Sequence, residues 1–164
     1  MIRFLVKIIP KRFLILLYKK LPFPINFKRL IIYRANKKFL VAVLGIIKNE
    51  ENKILLLNHT YRKAEPWGIP SGYIENENPG EGLKREIFEE TNFVAELDRV
   101  IHTEYCDGDR AIPPRINIYF SGRIKSGIFK PCDEISGYNF AGIKDLPEYM
   151  PDYQKALIKK FAGD

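Results

Sequence analysis

Hydrophobic positions change character along the chain, and the changes mark its elements. Phe39–Ile47 is a continuous apolar run rich in Val and Ile, the pattern of a strand covered on both faces. Lys48–Lys53 is polar and acidic, and Ile54–Asn58 is apolar again, so residues 39–60 predict a β-hairpin. Pro66 to Gly72 puts Pro and Gly breaks around Trp67 and Ile69, which predicts a short strand entering a tight turn. A helix follows. Asn78 suits its N-cap, Pro79 its first position and Glu81 the capping-box position, while Asn92 suits its C-terminal stop. Leu83, Ile87 and the pair Thr91/Phe93 give that helix one apolar side. Val94–Tyr105, Arg115–Lys125 and Ile135–Ala141 read as strands, with a Gly- and Pro-containing loop at Cys106–Pro114 that could close over a substrate or merely connect. Met150–Ala162 has helical spacing through Tyr153, Leu157, Ile158 and Phe161. Strands, a helix, more strands and a helix predict an α/β domain of the α+β sandwich kind, a mixed sheet flanked by helices.

The first fifth differs. From Met1 to Tyr33 apolar and basic residues interleave; Phe13–Tyr18 is an uncharged run of six residues, and Leu21–Phe27, broken by two prolines, one of seven. A spanning helix needs about 20. No long apolar stretch with a small-residue cleavage site is visible, so the expected location is cytoplasmic, with peripheral attachment to a membrane left open. Pro10 interrupts the segment, and Pro22 and Pro24 close it. One or two short helices followed by an extended connection are expected. Their apolar face either packs on the main domain, the commoner fate, or rests on an anionic membrane through residues 1–34. The expected division is a basic amphipathic helical extension over 1–36 and a main folded domain over 37–164.

The bulk numbers narrow the classes. A chain of 164 residues fits one domain and buries roughly two thirds of its unfolded surface, so it needs no covalent staple. An apolar fraction of 46% with 29% charged residues excludes disordered, collagen-like and membrane-spanning chains. Cys106 and Cys132 have no second Cys or His at ligand spacing, which argues against zinc and for two free thiols, a bridge between them staying open. With only His59 and His102, histidine-based triads start poorly. The net charge of +7 hides an asymmetry: residues 1–48 hold twelve Lys and Arg and no acid, while the rest holds fifteen basic and twenty acidic side chains. An anionic partner is therefore expected for the first segment alone. Lipid suits its aliphatic content better than nucleic acid does.

The chemistry is concentrated in the central helix. Glu86, Glu89 and Glu90 fall at i, i+3 and i+4, on one face. Like charges there cost a few tenths of a kcal/mol per pair, so helix stability does not explain them. A solvated acidic face does, and so does a hard divalent cation, which takes carboxylate oxygens. Arg85 beside them could orient a carboxylate or form a surface pair with Glu81.

The surroundings resemble the Nudix box. Glu77, seven residues, then Arg85-Glu86-Ile87-Phe88-Glu89-Glu90-Thr91 and Phe93 fall into its register. Trp67-Gly68-Ile69-Pro70-Ser71-Gly72 is similar to the strand and turn leading into the box, and the resemblance extends over about Phe39–Asp164. There are two departures: four residues rather than five separate Gly72 from Glu77, and Asn92 replaces the closing Gly.

The resemblance implies a metal-dependent hydrolase that cleaves the pyrophosphate of a nucleoside-diphosphate derivative such as ADP-ribose, a sugar nucleotide or a modified nucleotide. It implies Mg²⁺ or Mn²⁺ held by Glu86, Glu89 and Glu90, an orienting Arg85, and Glu77 as a supporting carboxylate. The water-activating base is Glu86, or Glu134 outside the box. Arg62 and Arg115 are expected at phosphate, and Trp67 or Tyr73 at a base or in the core. The competing reading is a non-catalytic nucleotide-binding or membrane-associated regulatory protein, supported by the shortened turn before Glu77. Oligomeric state stays open, a homodimer included.

Overall fold

A computed structural model describes residue 12, residues 24–108 and residues 113–163. The elements are α1 (Ile25–Ala35), β1 (Leu40–Lys48), β2 (Ile54–His59), β3 (Trp67–Gly68), β4 (Ser71–Tyr73), α2 (Pro79–Thr91), β5 (Phe93–Cys106), β6 (Arg115–Gly127), β7 (Ile135–Ala141) and α3 (Asp152–Phe161). The seven strands form one mixed sheet in the order β3-β2-β1-β6-β5, with β4 added to β1 and β7 to β2. Only β1 and β6 run parallel, over Leu40↔Arg115 to Lys48↔Arg123.

β1 is the axis of the sheet, and Ala42–Ile47 is buried throughout, as its unbroken apolar run requires. Its alternate side chains feed two cores. Ala42, Leu44 and Ile46 join Leu56, Ile69, Tyr119, Met150 and Ile158 on the face covered by α3. Val43 and Ile47 join Leu55, Leu57, Leu83, Ile87 and Phe120 on the face covered by α2. The sheet between two helical layers is the expected α+β sandwich.

One split in the sheet creates the site. β1 and β2 are paired at Lys48↔Ile54, near their shared turn. Beyond that point β1 takes β4 as its neighbour (Val43↔Gly72) and β2 takes β3 (Leu57↔Gly68). The Trp67–Tyr73 segment thus crosses from one strand to the other and holds them apart. Its bend is tied down by Gly45 N–H donating to Pro70 O at 3.0 Å and by Ile69 N–H donating to Gln154 Oε1 at 3.0 Å.

Helix α2 begins and ends at the expected residues, but its start is simpler than a capping box. Asn78 has the extended backbone of an N-cap and makes no side-chain cap bond. Its carbonyl accepts from Gly82 N–H at 2.9 Å, and Glu81 pairs with Lys84 instead of reaching back. Asn92 takes the left-handed conformation at φ 62° and donates its N–H to Phe88 O, the role a glycine would fill.

Residues 1–38 and 39–164 are two separate units of internal contact. In the first, the extended connection expected after Pro24 is instead helix α1. Pro24, at φ −52°, stands at its N-cap and its carbonyl accepts from Lys28 N–H, because proline presets the angle a helix start needs. The helices expected upstream of Pro22 lie outside the described residues, as do residues 109–112 of the 106–114 loop. Cys106 and Cys132 are both free thiols, so the bridge left open above is absent. Among the described residues no helix is long and apolar enough to cross a membrane.

Candidate active site

Burial of Leu83, Ile87 and Thr91 against the sheet fixes the rotation of α2 and turns Glu86 and Glu90 toward β4. Glu90 is 7% exposed, whereas Glu89 stands on the outer edge with its side chain 58% exposed. Gly72 makes the approach feasible. A Cβ there would collide with Cγ, Cδ and Oε1 of Glu86. Only a glycine lets the strand lie this close beneath the carboxylate.

Arg85 gathers the neighbouring acids. Its Nη2 donates to Glu77 Oε1 at 2.8 Å and to Tyr73 O at 3.2 Å, and its Nε to Glu77 Oε1 at 3.1 Å. Its Nη1 lies 2.9 Å from Glu86 Oε1 and 3.0 Å from Glu89 Oε2. The pairing with Glu81 considered above does not form, since Glu81 is bound to Lys84. After the short turn that follows Gly72, Glu77 reaches this arginine, which holds its carboxyl below its usual range.

Of these groups, Glu86 and Glu89 border a groove of about 1050 Å³ on the open side of the split sheet. Glu86, Glu89 and Glu90 line it from α2, Asp133 and Glu134 from the loop before β7, and Arg62 and Arg115 are its two arginines. Glu90 is the electrostatic centre. Burial first, then Glu86 and Glu134, push its carboxyl up to about 8, against the opposing pull of Arg62 and the Ser71 N–H. Its Oε2 is buried without a partner. Glu86 is also raised, chiefly by burial, despite Arg85 beside it. A buried, partnerless carboxylate flanked by acids calls for a proton or a cation.

The donor set fits a hard divalent ion, although the side chains do not enclose one. Among the described residues no three carboxylate, histidine or cysteine side chains converge on one ligating position. Glu86 and Glu89 are turned to Arg85. Mg²⁺ is commonly held by one or two carboxylates with water and substrate phosphate completing its shell, which matches this open arrangement.

The structure sorts the remaining expected residues. Glu134, Arg62, Arg115 and Tyr73 all line the groove. Trp67 takes the second of its two expected places: it is not among the lining residues and packs against the core beneath α3, its backbone N–H donating to Tyr149 O at 3.3 Å. As β3 pairs with β2, a side chain at that position meets the core, where a large apolar ring belongs.

Two features escaped the sequence reading. On β6, Asn117 lines the groove and is fixed from behind: its Nδ2 donates to Glu104 Oε1 at 3.0 Å, to which Tyr119 OH also donates at 2.6 Å. Asn117 Oδ1 is left buried without a partner. The alternation Arg115, Asn117, Tyr119 on one face of a strand was the available signal. The second is His59, buried with neither ring nitrogen hydrogen-bonded and pushed down to about 4 by burial first and then by Arg62. A Cβ on Gly68 would lie 2.8 Å from Arg62 Nη1 and 3.4 Å from His59 Nε2, so the arginine is laid over the glycine above the imidazole.

Comparison with known proteins agrees with this geometry. The family described as NUDIX domain matches residues 38–161. A "MutT-like protein" of Streptomyces ambofaciens is 25% identical over 127 residues, 75% of this chain and 77% of its own. The MutT protein of Methanosarcina mazei superimposes with a TM-score of 0.64 at 22% identity, over 77% of this chain and 94% of that one. A UDP-X diphosphatase superimposes with a TM-score of 0.64 at 20% identity, over 91% and 88%. Structural likeness at these identities carries the fold.

Proposed function

The chain belongs to the NUDIX domain family, and we propose that it is a hydrolase cleaving the pyrophosphate linkage of a nucleoside diphosphate joined to another group, dependent on Mg²⁺ or Mn²⁺. The observation that carries this reading is the partnerless, buried Oε2 of Glu90 beside Glu86 and Glu134 in a groove that also holds two arginines. The neighbour named a UDP-X diphosphatase supports the class of substrate without naming the group attached.

In this reading Glu90, Glu86 and Glu89 hold the metal, which when bound neutralises charge on the phosphate oxygens and assists the attacking water. Arg85 fixes the carboxylates of Glu77, Glu86 and Glu89 before substrate arrives, so that little reorganisation is left for the reaction. Arg62, laid over Gly68, and Arg115 bind the diphosphate oxygens. Tyr73, 47% exposed at the groove, offers a ring for a base or sugar. Glu134 or Glu86 takes the proton from water. Glu134 has the better claim, because Glu86 is already engaged by Arg85. The non-catalytic alternative rests on the shortened turn before Glu77, and the 2.8 Å contact of Glu77 with Arg85 favours the catalytic reading over it.

The test is hydrolysis of a panel of nucleoside-diphosphate derivatives with Mg²⁺ and with Mn²⁺, comparing wild type with Glu90→Gln, Glu86→Gln and Glu134→Gln. Turnover of one class that Glu90→Gln loses is the expected result. Loss of the acidic limb of the pH–rate profile in Glu134→Gln but not in Glu86→Gln would assign the base. A folded, metal-binding protein that turns over no member of the panel would overturn the reading.

A further inference from the structure

Independently of the reaction, we propose that the N-terminal segment docks the protein on an anionic lipid surface, lying on the bilayer without crossing it. Residues 1–38 carry eleven Lys and Arg and no Asp or Glu, so none of their positive charge is neutralised from within the segment. From residue 39 onward acidic side chains outnumber basic ones, twenty to sixteen. The chain therefore concentrates its entire net positive charge in one unit. A net-negative body would be repelled by an anionic membrane, and the basic unit supplies the attraction that overcomes this.

Charge alone would suit any polyanion. Helix α1 supplies the second observation. It presents Ile25 at 59%, Leu30 at 45%, Ile32 at 46% and Tyr33 at 63% exposure, interleaved with the exposed Arg29 and Arg34. Lys38 stands 3.5 Å over the Tyr33 ring, so cation and aromatic ring present themselves together. Exposed branched aliphatic side chains gain nothing from a nucleic-acid backbone. They do gain from the boundary between headgroups and acyl chains, where arginine reaches phosphate while its neighbours leave water. Single-stranded RNA would instead be met by aromatic and Arg side chains on a platform for stacking. The aliphatic side chains upstream, among them Leu5, Ile8, Ile9, Leu14, Leu16 and Leu17, alternate with Arg3, Lys7, Lys11 and Arg12 and extend the same composition. No described helix is long and apolar enough to cross a bilayer. Upstream of α1, charged residues interrupt the apolar sequence at Arg3, Lys7, Lys11, Arg12, Lys19 and Lys20, which favours an orientation along the surface.

Flotation of the full chain with phosphatidylcholine vesicles, with and without phosphatidylglycerol, tests the proposal. Binding is expected only with the anionic lipid, and it should fall steeply as NaCl is raised. Each Lys or Arg near such a surface contributes about fivefold in partitioning. The double variant Arg29→Glu/Arg34→Glu should therefore lower binding by at least about twentyfold by the same rule. Leu30→Ser/Ile32→Ser should weaken binding while keeping its salt dependence. Both variants change the first unit alone, and an unchanged thermal transition is the check that the domain remains folded. The salt series on wild type gives an answer even if a variant fails to fold. Equal binding to neutral and anionic vesicles, no binding to either, or capture by mixed-sequence RNA that vesicles do not compete away would each overturn the proposal.

Discussion

Glu86 lies on Gly72 so closely that no side chain fits between them. The atoms a Cβ would meet are the flexible end of the glutamate, not backbone, so the molecule can yield by swinging that carboxylate away. Gly72→Ala should therefore leave stability nearly intact and displace a carboxylate that Arg85 and the groove share. We expect turnover to fall on the order of a hundredfold, with a thermal midpoint within a few degrees of wild type. Kinetics and a melting curve on the same preparation check this. A fully active alanine variant would mean that Glu86 has no positional role.

Glu90 predicts the consequence of adding metal. A carboxyl pushed up to about 8 by burial and by its acidic neighbours is a folded-state liability that a bound cation removes. Saturating Mg²⁺ or Mn²⁺ at a hundred times its dissociation constant should stabilise wild type by about 2.7 kcal/mol. Glu90→Gln relieves the repulsion without metal, so it should start more stable and gain little from either ion. Thermal midpoints with and without metal give the comparison. An equal metal-induced gain in both proteins would place the ion elsewhere.

The contrast between these two residues shows what the sequence could and could not display. The spacing of Glu86, Glu89 and Glu90 is a property of one helix, so a 3.6-residue period exposed the shared face directly. The strand runs around Val43 and Leu55 were equally local and equally legible. What brought Gly72 under Glu86, or Arg62 over His59, is the divergence of β1 from β2, a long-range event that leaves no periodic trace. Trp67 was ambiguous for the same reason: its face is decided by pairing with Asn58, about 30 Å of chain away in extended form. Asn117 and Glu104 meet only because β5 and β6 pair in one register. Helix α1 was missed because Pro24, read as a break, also serves as a start.

Arg85 concentrates three carboxylates on one guanidinium, through Nε and both Nη atoms. A lysine carries the charge but can neither reach several acids at once nor present a fixed fork. Arg85→Lys should reduce turnover about tenfold or more by loosening Glu86 and Glu77 together. If the pair acts as one device, Arg85→Lys and Glu77→Gln will not be additive, and a double-mutant cycle should return a coupling of about 1–2 kcal/mol. Additive effects would show that the arginine serves Glu86 alone.

His59 makes an acid-stability prediction with a definite sign. Its imidazole is 1% exposed, lacks hydrogen-bond partners and shares its space with Arg62, so the folded protein keeps it neutral down to about pH 4, while an unfolded chain protonates it near 6.5. Between those values the unfolded state binds more protons. The stability tied to the neutral imidazole is therefore complete above about 6.5 and is lost as the pH falls toward 4, to the extent of roughly 2–3 kcal/mol. Carboxylates held low by their partners, Glu77 and Glu104 among them, also lose stability in acid, so wild type alone cannot isolate the effect. His59→Phe can, because it keeps an aromatic ring against Tyr61, whose centroid is 5.4 Å away, and removes the titrating nitrogens. Urea unfolding of both proteins at a series of pH values should give free-energy curves whose separation is constant above neutrality. Below about pH 6.5 the variant should lose less stability than wild type, the difference growing until about pH 4. Parallel curves across that whole interval would show that His59 takes up its proton in the folded state as readily as in the unfolded one, and that Arg62 and burial do not hold it neutral.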